Sequence, residues 1–191
     1  MVLTLLCLLA QFPSKAELES SATILKQSIP EVLVGSEGND RWELWVDVQR
    51  PITDKELKSI KGYRGLTAIR LLDGGFSDKG LSNIVDLPDL TLLVVRSDKL
   101  TDKAIDAAMR FKKLSKLDLM QATLTAKGLL KLRRMPALRR LFLHGATFSD
   151  ADAMELVQLT KLDDLTLPSS LSKATVEKIK DALPKCNVRV F

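Results

Sequence analysis

The only histidine of the 191-residue chain is His144, and Asp118 and Ser115 are the residues that could act with it. A serine, a histidine and a carboxylate make a nucleophile, a base and an orienting group only where they converge on one point. Nothing in their spacing forces that convergence, so no catalytic residue is assigned. Metal-ligand spacing is absent as well: no His-plus-carboxylate pattern occurs, and Cys7 and Cys186 lie at opposite ends of the chain. Gly74-Gly75 lacks the lysine of a phosphate loop and reads as a turn. The expectation is a protein without metal or cofactor that binds rather than catalyses.

Charge offers a second chemistry. Between Asp102 and Arg140 stand eleven Lys or Arg against three Asp, although the whole chain carries only +5. Lys112, Lys113, Lys131, Arg133 and Arg134 could attract a polyanion or an anionic surface, which is the alternative function carried forward, or they could form an ordinary solvated face. The one aromatic residue among these cations is Phe111, which the apolar pattern below claims for the core. Stacking on bases is therefore unsupported, and nucleic acid is not the expected partner.

What must position any site is a period of 24 residues, marked by Leu66, Leu90, Leu114, Leu138 and Leu162. Counting from each of the first four leucines, offsets 0, 3, 5, 10, 15, 18 and 21 are apolar in every unit, 28 positions in all. Offsets 3 and 5 alternate as a strand does, while 15, 18 and 21 recur near the helical period, so each unit reads as a short strand and then a helix. At offset 11 stands Ser77, Thr101, Thr125 or Ser149, joined by Thr53 in a shifted register and usually followed by Asp. That is helix-start chemistry: the hydroxyl accepts from free backbone amides, and the carboxylate suits the positive end of the helix. One such unit cannot bury its own apolar stripe. Neighbours must stack, strand beside strand and helix beside helix, into a right-handed α/β solenoid.

The ends follow the same scheme. Val46, Val48, Ile52, Leu57, Ile60 and Tyr63 form an opening unit, Leu162 to Ile179 a closing one, and Val188 and Val190 a last strand. Residues 31–34 and 41–48 flank a Gly-Ser-Glu-Gly-Asn-Asp turn and predict a hairpin, with a helix over residues 14–27 covering that edge. Residues 2–12 are an apolar run too short to span a bilayer. They read as the hydrophobic region of a signal peptide with a cut after Ala16, or else as an apolar helix capping the solenoid. The domain plan is residues 1–16 as signal segment, 17–41 as helix and hairpin cap, and 42–191 as repeats. Export to the periplasm or exterior follows from the first reading, and a cytoplasmic location from the second.

The segments Ile-Thr-Asp-Lys-Glu-Leu (52–57), Phe-Ser-Asp-Lys-Gly-Leu (76–81) and Leu-Thr-Asp-Lys-Ala-Ile (100–105), each behind a strand of alternating apolar residues, resemble leucine-rich repeats. They look closest to the bacterial T-D-x-G-L variety, which is similar to the repeats of ribonuclease inhibitor and of F-box substrate receptors. The resemblance covers residues 42–191 and implies a horseshoe of about six repeats of 23 to 24 residues, with a parallel sheet on the concave side where partners dock. A recognition subunit of a larger complex is a further alternative that it implies. The sequence departs from the family at offset 8, where an Asn ladder is common but Gly74, Asp98, Ala122 and Ala146 stand.

In such a sheet offsets 2, 4 and 6 face the concave side. The candidate contacts are Trp45, Arg70, Leu72, Leu92, Val94, Arg96, Lys116, Met120, Arg140, Phe142 and His144. Positions that meet only water should be polar, whereas here apolar anchors alternate with cations, the composition of a binding hot spot. The expected partner is an acidic, partly apolar protein surface, bound by a monomer with no membrane span in its mature chain.

Overall fold

The computed structural model describes residues 13–36 and 42–191. Helix α1 (Lys15–Lys26) opens it, followed by strands β1 (Val32–Ser36) and β2 (Trp42–Val48). Then six crossovers alternate helix and strand: α2 (Asp54–Leu57), β3 (Leu66–Leu71), α3 (Asp78–Ser82), β4 (Leu92–Arg96), α4 (Asp102–Ala108), β5 (Lys116–Met120), α5 (Ala126–Lys131), β6 (Arg140–Phe142), α6 (Asp150–Ala153), β7 (Asp164–Leu167), α7 (Lys173–Ala182) and β8 (Asn187–Val190). The strands form one eight-stranded sheet in sequence order. β1 pairs antiparallel with β2, which is the expected hairpin, and every later pair is parallel. This is a leucine-rich-repeat solenoid.

All 28 periodic positions are buried, none above 8% exposed. The register explains why the period is so strict: Ile69 faces Leu93, Leu93 faces Leu117, and Leu117 faces Leu141, so each apolar side chain stacks on its counterpart in the next coil. Helix α1 closes the first coil with Leu18, Ala22 and Leu25 buried, and its Ser14 cap and Glu17 bond reciprocally. The proposed export segment lies outside the described residues up to residue 12, and so does the expected turn from residue 37 on, while Gly35 and Ser36, expected in that turn, belong to β1.

Three details differ from expectation. The α-helices are short, four to seven residues in α2 to α6, two of them running on as 3-10 turns over Leu132–Arg134 and Met154–Gln158, and the apolar residue at offset 21 lies beyond each of them. Pro88 and Pro136 at offset 22 favour this, since the residue before a proline is pushed out of helical conformation. Val190, placed with Val188 in a last strand by the same scheme, is 45% exposed, and among the described residues no strand lies beyond β8. The Asp of the T-D pair also does more than cap its own helix. Asp54 accepts from the Ser77 amide and hydroxyl at 2.7 and 2.8 Å, Asp78 from Thr101 at 3.0 and 2.6 Å, and Asp102 from Thr125 at 2.9 and 2.6 Å.

Each carboxylate thus staples its coil to the next one. The glycine of T-D-x-G-L leaves room for it: a Cβ on Gly80 would lie 2.1 Å from the Asp54 carboxylate, and one on Gly128 2.0 Å from that of Asp102. Where Ala126 interrupts the series, Asp152 of the following coil supplies the carboxylate from the other side, accepting from the Ala126 amide at 2.8 Å. Hydrogen bonds from the Ser149 hydroxyl, the Ala126 amide and the Ser149 amide hold Asp152 below the usual carboxylate range.

At the turn where the family often uses asparagine, small buried residues and backbone bonds take its place. Ala122 and Ala146 are buried, and Thr147 N–H donates to the Ala122 carbonyl at 2.8 Å. In the coil before them, Ser97 at offset 7 fills the position, donating its hydroxyl to the Phe76 carbonyl at 2.7 Å, while Asp98 is exposed. The coil interfaces therefore keep their hydrogen bonds without an asparagine ladder.

Candidate binding face

Among the described residues the helices lie on one side of the sheet, and the residues at offsets 2, 4 and 6 share the other, concave side. A row at offset 2 crosses it in register: Leu33 pairs with Trp45, Trp45 with Ala68, Ala68 with Leu92, Leu92 with Lys116, and Lys116 with Arg140. A groove of about 500 Å³ follows this row and is bordered at offset 1 by Thr67, Thr91 and Ser115. Leu33 is 51% exposed, and it was not among the sequence candidates because only the hairpin register sets it beside Trp45. Trp45 is held in place, its Nε1–H donating to Thr67 Oγ1 at 3.2 Å. A fixed aromatic side chain loses little entropy when a partner covers it.

The hydroxyls of the groove are oriented too. Thr91 donates to the Thr67 carbonyl at 3.2 Å and Ser115 to that of Thr91 at 3.3 Å, which leaves their oxygens able to accept. Among the cations, Arg70 sits 3.7 Å from Asp47, and Lys116 lies over the Phe142 ring at 4.9 Å from its centroid. Arg140 is in register with Asp164, whose Oδ1 accepts from Asn187 at 3.0 Å and Arg189 at 2.9 Å. Among the described residues no carboxylate pairs with Arg96 or Arg140, and both are exposed.

The structure separates the serine from the histidine. Ser115 and His144 stand at opposite ends of their strands, five offsets or about 16 Å apart along the strand direction, so the three residues form no triad. His144 does meet Asp118, with Nδ1 3.6 Å from Oδ1, too long for a hydrogen bond. It stacks with Phe142 at 6.0 Å between centroids and takes the edge of Phe191 at 4.7 Å. Asp47 Oδ1, Asp118 Oδ1 and His144 Nδ1 are the buried side-chain polar atoms without a hydrogen bond among the described residues, and all three lie on this face. Two of the three, Asp118 Oδ1 and His144 Nδ1, are the atoms that face each other at 3.6 Å.

Burial pushes Asp118 above the ordinary carboxylate range, and the neighbouring His144 and Lys116 offset this only in part. A folded-state value above the unfolded one means that the native state holds the proton more tightly. Its contribution is full below the unfolded value of 3.8 and is lost as pH rises through the folded one. Asp118→Asn, which has no charge to bury, should therefore gain on the wild type as pH rises from below the unfolded value of 3.8 toward neutrality, read as the difference in urea midpoints. A constant difference would show that the Asp118 charge is not penalised by the fold.

Val94 needs correction as a contact residue. It stands in the middle row, between Leu92 and Arg96 along its strand and in register with Arg70 and Asp118, and it is 9% exposed. Shielded on all four sides, it contributes packing rather than contact area. Three of the five cations on the helical side have local side-chain partners: Lys113 pairs with the buried Asp89 at 2.7 Å, Lys131 with Asp106 at 2.7 Å, and Arg133 donates to Gln158 at 3.0 Å, while Lys112 donates to the Met109 carbonyl at 3.3 Å and Arg134 is exposed. Among the described residues no helix is long and apolar enough to cross a membrane.

No protein-family model matches the chain, and no curated protein matches its sequence. Among solved structures the chain is similar to an internalin C2 of Listeria monocytogenes, with 14% identity over 95% of this chain and 88% of that one and a TM-score of 0.47. It is also similar to an internalin (inlF) of the same organism, with 18% identity over 95% of this chain and 57% of that one and a TM-score of 0.41.

Proposed function

We propose that this chain is a non-enzymatic protein-interaction module whose partner docks on the concave sheet face. The observation that carries the reading is the composition of that face: the half-buried apolar side chains Trp45, Leu72, Leu92, Met120 and Phe142 are interspersed with the exposed Arg96 and Arg140, which no carboxylate among the described residues answers. A surface that only met water would gain nothing from this mixture, whereas a partner covering it removes apolar area and answers free charge. The chemistry fits an acidic, partly apolar protein surface.

A random peptide library displayed on phage tests this, because it offers the face sequences of every charge and polarity at once. Clones selected on the wild type should lose at least about tenfold in binding to a triple variant with Arg96, Met120 and Phe142 replaced by Ala, the size expected for truncated hot-spot residues. Unchanged thermal unfolding would show that the variant is folded. Clones that bind the variant equally well would rule the face out.

A further inference from the structure

Resting on that docking reading, the order of residues in the offset-2 row identifies the partner's chemistry more closely. From the hairpin inward the row reads Leu33, Trp45, Ala68, Leu92 and then Lys116, Arg140, so the groove is apolar at one end and cationic at the other. Side chains on adjacent strands are about 4.8 Å apart, which places the midpoint of Lys116 and Arg140 about 12 Å from Ala68. An extended peptide rises about 3.3 Å per residue and presents every second side chain on one face, so residues i and i+4 share a face about 13 Å apart.

We infer that the groove takes an extended peptide segment lying across the strands, with an apolar side chain at position i over Trp45, Ala68 and Leu92. An Asp or Glu at i+4 then sits between Lys116 and Arg140. Arg140 is the main anionic receptor, since it is exposed and no carboxylate among the described residues pairs with it, the Asp164 beside it having Oδ1 engaged by Asn187 and Arg189. A guanidinium takes a carboxylate in two parallel bonds. An acyl chain ending in a carboxylate shares the apolar-then-acidic pattern. The half-buried Thr91 and Ser115 oxygens along the groove decide against it, because their protons are spent on backbone carbonyls and their remaining capacity is to accept. A peptide backbone brings N–H donors to them and a hydrocarbon brings none.

The test is fluorescence anisotropy with labelled decapeptides of one composition, carrying Phe and Glu either four residues apart or adjacent, and a third peptide with Lys in place of the spaced Glu. The wild type should bind the spaced Phe/Glu peptide at least about tenfold more tightly than either other peptide. Arg140→Glu, a change at an exposed side chain, should reverse the preference toward the Lys peptide while leaving the unfolding temperature unchanged. Equal binding of spaced and adjacent peptides overturns the inference, as does an Arg140→Glu variant that keeps its preference for Glu. Displacement of every peptide by laurate, with no spacing preference, assigns the groove to an acyl chain and overturns it too. If these occur while library clones still lose binding to the triple variant, the inference falls and the docking reading stands. If the clones are indifferent both to the triple variant and to Arg140→Glu, both fall.

Discussion

Leu119→Ala is expected to cost about 2 to 5 kcal/mol of stability, the range for a leucine removed from a core that collapses only partly around the gap. Leu119 is fully buried in the central strand β5 and stacks on Val95 of the preceding coil. Its place in the middle of the array adds a consequence that a globular core would not show. In a solenoid each coil contacts only its neighbours, so stability is roughly a sum of coil terms and interface terms. A cavity at β5 weakens the link between the two halves as well as the total. Urea unfolding should therefore show a lower midpoint together with a shallower slope, as the halves begin to melt separately. Its sequence neighbour Met120 faces the other side of the sheet and is half-buried. Met120→Ala should shift the midpoint by much less, and equal losses at the two positions would contradict the alternation of inward and outward side chains.

The apolar positions were legible because their cause is local and repeated. A strand that must bury offsets 3 and 5 against the next identical strand accepts only apolar residues there, and four units repeat the constraint. The same logic gave the open face, since Arg70, Leu92, Arg96 and Phe142 had to point opposite to the leucines. What could not be read are contacts whose partners lie in different coils or in the cap. Leu33 joins the offset-2 row through the hairpin register, which its own neighbours do not reveal. Asp54, Asp78 and Asp102 look like caps of their own helices in one dimension, yet their carboxylates reach residues 23 positions on. Val94 fits the alternation and still fails as a contact, because exposure depends on the size of its neighbours and not on parity. Helix length failed for a similar reason: apolar spacing continues past the last helical turn into a packed loop that keeps the period without the conformation.

Gly74→Ala should destabilise the protein by about 1 to 3 kcal/mol, the cost of forcing volume into a packed site. The opposite sign would be the ordinary expectation, since Gly to Ala at an unstrained position gains about 0.4 to 1 kcal/mol by restricting the unfolded chain. Gly74 shows no positive φ that would make a side chain costly by conformation alone. The obstacle is the next coil: a Cβ here would lie 2.2 Å from the Arg96 carbonyl oxygen and 2.7 Å from the Ser97 Cα. Both are backbone atoms of the adjoining turn, so relief requires separating two coils whose strands are hydrogen bonded. Two and three coils further on, the equivalent offset holds Ala122 and Ala146, buried at 0% and 2%, so the same turn accommodates a methyl group there. The reverse exchange, Ala122→Gly, should also destabilise, by about 0.5 to 1 kcal/mol through added chain freedom, with the lost buried methyl deepening the loss. Identical residue types exchanged in opposite directions at equivalent places would then both lower the urea midpoint, one by collision and one by vacancy. A neutral or stabilising Gly74→Ala would mean that the coils are spaced more widely at Arg96 than this structure has them. Ser97, whose hydroxyl reaches the Phe76 carbonyl across the same gap, would then lose its reason to occupy the asparagine's place.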